Sequence, residues 1–151
     1  MPRSRVRLLL ALDESSVSFR AAREAARLFS GCDVEFLVIS VARLPMPWVP
    51  VGGFGLVSVP PPGWERNAMP ADEVDVAHRA EEAGAEHVEV LSEVGDPVEC
   101  ICAAAEEHDV DVVVVGAHDK GFLARLLEPS VSAGVVRGTN RPVLVVSGGQ
   151  S

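Results

Sequence analysis

Four consecutive valines, Val112 to Val115 in "DVVVVGA", set the tightest limit on how this 151-residue chain can fold. A strand with one wet face alternates apolar and polar residues. An unbroken β-branched run suits a strand covered on both faces, as in the centre of a parallel sheet. Parallel neighbours need crossover connections, usually helices, so the rest of the sequence should supply strands and helices by turns.

The sequence reads that way. "RVRLLLALD" is an apolar run closed by Asp13, and "SSVSFRAAREAARLFSG" follows with serine caps, a small-residue face and a terminating glycine at Gly31. "DVEFLVISV" reads as a second strand, "ADEVDVAHRAEEAG" as a short helix ending at Gly84, and "HVEVLSEV" as a third strand alternating with period two. In "GDPVECICAAAEEHDV", Asp96 caps, Pro97 suits the first helical position, and Glu99 completes a capping box. Val98, Ile101, Cys102 and Ala105 share one face of that helix. The valine run closed by Gly116 is the fourth strand, "SVSAGVVRG" is a last helix weakened by Gly134, and "RPVLVVS" is the last strand. The order βαβαβαβαβ predicts an α/β fold: one open, five-stranded parallel sheet with helices on both faces and right-handed crossovers.

One domain over residues 1–151 is the expectation from length and from a hydrophobic content of 48%. Residues 43–70 stand apart as a proline- and glycine-rich loop insertion, with Pro60, Pro61 and Pro62 in succession and both tryptophans, Trp48 and Trp64. A connection this long is a lid, a binding loop or an unstructured segment. A formal charge of -9 sets the chain against nucleic acid and anionic membrane, and Arg3, Arg5 and Arg7 make only a short basic start. The "LLLAL" after that start is stopped by Asp13 before it reaches the length of a signal h-region. Three cysteines make no disulfide framework, and Cys100 and Cys102, two apart on a helix, face different ways, which points to a reducing cytoplasm.

Taken together, "LLLALDESSVSFRAAREAARL", "EVGDPVECICAAAEEHDVDVVVVGAHDKG", the "SVS" before the last helix and the final "RPVLVV" resemble the universal stress protein family. The resemblance covers the chain outside residues 43–70. It implies a sheet of order 3-2-1-4-5, a fold like that of the adenine nucleotide alpha hydrolases, and a dimer. Some members of the family bind ATP or AMP and others do not. It marks Leu12, Asp13, Val41, Gly116, Ala117, His118, Gly121, Ser130, Val131 and Ser132 as the candidate nucleotide-binding residues, and it requires no metal.

In ATP-binding members the loop after the fourth strand reads G-x2-G-x9-G-[ST], whose glycines let backbone N–H groups approach phosphate oxygens. Here the first glycine is Gly116, but Asp119 and Pro129 occupy the second and third positions, before Ser130. Aspartate brings negative charge toward a polyphosphate, and proline removes a donor and restricts Glu128 to extended backbone. Lys120 and Arg125 are the cations nearby in sequence, and the N-terminal amides of the last helix favour an anion. Asp13 has two readings, a helix cap or the family's acidic contact to nucleotide.

The function expected is that of a non-enzymatic, cytoplasmic stress-response dimer with a weakened or lost ATP loop, pairing through "RPVLVVS". The alternative is a regulator that still takes ATP or AMP. A phosphoacceptor receiver domain is disfavoured because no lysine and closing helix follow the last strand. A hydrolase is disfavoured because no nucleophile with a placed base, and no Walker "GK[ST]", can be named.

Overall fold

The computed structural model describes residues 5–42, 48–53, 55–59, 72–117 and 131–148. Its elements run β1 Val6–Ala11, α1 Ser16–Leu28, β2 Val34–Ala42, β3 Trp48–Pro50, β4 Leu56–Ser58 and α2 Glu73–Glu82. They continue with β5 Val88–Val94, α3 Pro97–Glu107, β6 Val112–Ala117, α4 Val131–Gly138 and β7 Val143–Ser147. Five strands form one parallel sheet in the order β5-β2-β1-β6-β7. With the small β3–β4 ribbon set aside, that is the expected 3-2-1-4-5 arrangement.

The valine run is covered on both faces. Val114 joins Leu8, Leu10 and Val38 under Ala21, Ala22 and Ala25 of α1 and Val76 and Ala80 of α2. Val113 and Val115 turn to the other side, with Leu9, Leu37 and Ile39 under Ile101, Ala104 and Ala105 of α3 and Val135 of α4. The period-two alternation therefore persists inside an all-apolar run, each face meeting its own pair of helices.

Local chemistry sets the helix ends. Ser15 caps α1 by accepting from Ser18 N at 3.2 Å, and Asp72 caps α2 by accepting from Val74 N at 2.9 Å. Asp96 caps α3 by accepting from Glu99 N at 3.0 Å, with Pro97 in the first turn. Helix α1 ends at Leu28 with Phe29 as its C-cap, before Gly31; Phe29 N donates to Ala25 O at 3.1 Å, and the next amide, Ser30 N, turns instead to Arg27 O at 3.4 Å. Gly134 does more than weaken α4: a Cβ there would lie 2.7 Å from Val98 Cγ2, and one at Gly138 would lie 3.0 Å from Cys102 Sγ. The two glycines let α4 lie close on α3.

Residues 48–59 add an antiparallel ribbon in which Val49 pairs with Val57 and Pro50 with Leu56. Its turn closes through Val51 N to Gly55 O at 3.0 Å, and Gly52, Gly53 and Gly55 adopt the positive φ that such a turn needs. The described part of the long insertion thus gives no strand to the main sheet and pairs with itself.

Candidate functional site

The chain winds from β1 to β2 and β5 on one side, then crosses back to β6 and β7 on the other. This reversal leaves the carboxyl ends of β1 and β6 side by side, where open parallel sheets hold their ligands. Leu12 is buried just past β1, and its N–H donates to Ile39 O at 3.0 Å. Asp13 follows at the surface. Its Oδ1 accepts from Ser15 N and from Ser18 Oγ, both at 2.8 Å, while its own N–H donates to Ser18 Oγ at 3.1 Å. Serine 15 is the cap, and Asp13 holds the turn that presents it. Ser18 itself is only 6% exposed, so its hydroxyl organises the junction rather than facing solvent.

Val41 lies near the end of β2, half-buried and in register with Glu93 of β5. Gly116 and Ala117 end β6 opposite Val146 and Ser147 of β7, and Ala117 O accepts from Gly148 N at 3.1 Å. Val131 and Ser132 open α4, Val131 partly buried against the α3–α4 core and Ser132 buried. His118, Gly121 and Ser130, with Asp119, Lys120, Arg125 and Pro129, lie outside the described residues. Leu12, Asp13, Gly116 and Ala117 therefore meet where the winding reverses, with Val41 at the end of the neighbouring strand.

Gly116 shows something that sequence order hides. A Cβ built on it would sit 2.8 Å from Val17 Cγ1 and 2.9 Å from the Val17 carbonyl oxygen, and one on Gly148 would sit 3.0 Å from Val17 Cγ2. The first turn of α1 is wedged between these two glycines. Position 116 thus has a packing reason to be glycine that is independent of any phosphate. Only the contact partner, 99 residues earlier in the chain, reveals it.

Among the described residues the cysteines and histidines do not gather here. Burial pushes the Cys100 thiol up, helped by Glu93, Asp96 and Glu99, and burial does the same at Cys102 with Asp96 and Glu106; neither favours the reactive thiolate. His78 and His87 are exposed and His108 is half-buried; His87 precedes β5 and His108 caps the end of α3, whereas His78 lies in the middle of α2 rather than at an element's end. Among the described residues no group of three or more His, Cys, Asp or Glu is placed to hold a metal ion, and no helix is long and apolar enough to cross a membrane.

Comparison with known proteins agrees with this architecture. The model of the universal stress protein family matches residues 5–147. Universal stress protein MJ0531 of Methanocaldococcus jannaschii is 32% identical over 143 residues, covering 93% of this chain and 81% of that protein. Universal stress protein MJ0577 of the same organism is 43% identical over 53 residues, a stretch that spans 33% of its length. Among solved structures, a universal stress protein in complex with cAMP superposes with a TM-score of 0.67 at 23% identity, covering 96% of this chain and 98% of the other. One from Archaeoglobus fulgidus in complex with dAMP superposes with a TM-score of 0.60 at 19% identity, covering 95% and 99%. The chain belongs to the universal stress protein family.

Proposed function

We propose that this universal stress protein is a non-enzymatic regulatory dimer of the cytoplasm whose ATP-binding loop is weakened or lost. The observation that carries the reading is the contact of Gly116 with Val17. Of the three glycines of the family's ATP loop, the one present here is the one that packing demands, and the other two positions hold Asp119 and Pro129. The Asp13 carboxylate is engaged by the start of its own helix, which supports a structural duty there too. The Ser18 hydroxyl donates to Asp13 Oδ1 at 2.8 Å from a buried position in the first turn of α1, which supports a structural rather than a hydrolytic role.

The dimer is supported by the unequal edges of the sheet. Edge strand β5 carries Glu89 and Glu93, whereas β7 reads Val-Leu-Val-Val-Ser with Val145 41% exposed. A charged edge resists pairing and an apolar one invites it, so β7 is the edge expected to meet a second copy. Light scattering at micromolar concentration should report a dimer; a monomer would remove this part of the reading.

The second reading, a regulator that still binds adenine nucleotide, is favoured by the complexes of structural neighbours with cAMP and dAMP. Mass spectrometry of the purified protein separates the two. The first expects no stoichiometric adenylate, and one adenylate per chain would establish the second.

A further inference from the structure

Among the described residues, five arginines have partners, and Arg137, alone near the end of α4, has none. Arg5 pairs with Asp33, Arg7 with Glu35, and Arg141 with Glu106 and Asp109, while Arg79 donates to Ser15 O and stacks on Phe19. The outer face of α1 is different. Arg20, Arg23 and Arg27 recur there at helical spacing, and Arg20 and Arg23 form no ion pair or hydrogen bond among the described residues. Together with Glu24, Ala26, Ala83 and Gly84 they line an open groove of about 700 Å³ between α1 and the end of α2. The lining holds three guanidinium groups and one carboxylate in a chain whose net charge is -9.

The groove is prepared for negative charge in two further ways. Glu24 is already held by Arg27 at 2.8 Å, and that hydrogen bond keeps its carboxyl below the ordinary value, so its charge is compensated inside the groove. The carbonyls at the end of α2 are also taken up: Ala85 N closes on Ala80 O at 3.0 Å and Gly84 N on Glu81 O at 2.9 Å.

From these contacts we propose that the α1–α2 groove docks an acidic, extended segment of a partner protein. Seven residues of helix separate Arg20 from Arg27 by about 10 Å, roughly the rise of three residues of extended chain. Carboxylates spaced along such a segment therefore meet the arginines in turn, while Ala26, Ala83 and Gly84 leave room for its backbone. A single phosphate is a poorer match, because the guanidiniums are spread along the helix rather than aimed at one point. An anionic bilayer is a poorer match too, because the floor offers no large apolar side chain to insert and the rest of the chain repels the surface.

The test is fluorescence anisotropy of labelled hexaglutamate titrated with the full-length protein at low ionic strength and at about 0.15 M. Saturable binding at low ionic strength is expected, weaker at the higher. It should fall at least about tenfold in R20E/R23E and less in R20Q/R23Q, and R20Q/R23Q should melt close to the parent because both side chains are exposed. Absence of binding at low ionic strength, or equal binding by R20E/R23E, would overturn the proposal. So would full displacement by inorganic phosphate at matched ionic strength, stronger arginine-dependent binding to phosphatidylserine vesicles, or an assembly larger than a dimer that R20E/R23E abolishes.

Discussion

The carboxyl ends of β1 and β6 lie side by side and are held by different forces. After β1 the chain is fixed by directional bonds: Ser18 Oγ bridges the Asp13 amide and carboxylate, and Ser15 caps the helix. At β6, among the described residues, Gly116 and Gly148 leave room for Val17, and Ala117 O accepts from Gly148 N at 3.1 Å. Yet both junctions serve the same object, the first turn of α1. The comparison teaches that Asp13 and Gly116, two of the positions that the family resemblance marks as candidate nucleotide contacts, each help to place that turn. Asp119 and Pro129 show what stands where the family pattern is not met.

The largest way to break the comparison is on the steric side. Gly116→Ala should cost about 2–3 kcal/mol, because the new Cβ meets a backbone carbonyl as well as a stiff valine side chain. At about 2–4 °C per kcal/mol for a chain of this length, thermal unfolding should show a drop of several degrees. Adding Val17→Ala should recover part of it, since one clash is relieved and the carbonyl remains. A Gly116→Ala protein that melts like the parent would mean that packing does not explain this glycine.

The polar side should be the less sensitive of the two. Ser18→Ala removes the hydroxyl that receives the Asp13 amide, a loss of roughly 1–2 kcal/mol, toward the lower part of the range for an orphaned donor. Chemical denaturation should show a lower midpoint with an unchanged slope. An effect larger than that of Gly116→Ala would reverse the order of the two forces.

The smallest effect lies away from both junctions. Replacing residues 49–59 by a short glycine-serine link should leave the melting temperature nearly unchanged, because Val49, Val51, Leu56, Val57 and Val59 are all exposed and, among the described residues, the ribbon's strands pair with each other. A large drop would show that the ribbon is part of the support for the sheet.

These differences also mark what a lone sequence can disclose. Strand and helix order was legible because burial on two faces, capping residues and turn glycines leave local signatures, as at Val112–Val115, Ser15 and Asp96. The β3–β4 ribbon was not foreseen. Its valines are short runs among prolines and glycines, and its pairing depends on three glycines sharing one turn. Gly134 read as a defect in a helix because Val98, the neighbour that needs its missing side chain, is distant in sequence. The site was legible as a list of residues but not as a set of duties, since the Gly116–Val17 contact and the freedom of Arg20 and Arg23 are facts of tertiary packing.

The proposal that Asp119 and Pro129 oppose phosphate binding is tested most directly by an ATP titration of Asp119→Gly/Pro129→Gly by calorimetry. The one charge-assisted hydrogen bond that the Pro129→Gly amide could recover is worth about 1.5–3 kcal/mol, so ATP affinity should rise about ten- to a hundredfold, with a smaller gain for AMP. Two results would contradict the account: parent protein that already binds ATP in the micromolar range, or a reverted protein that folds normally and binds ATP no better than its parent.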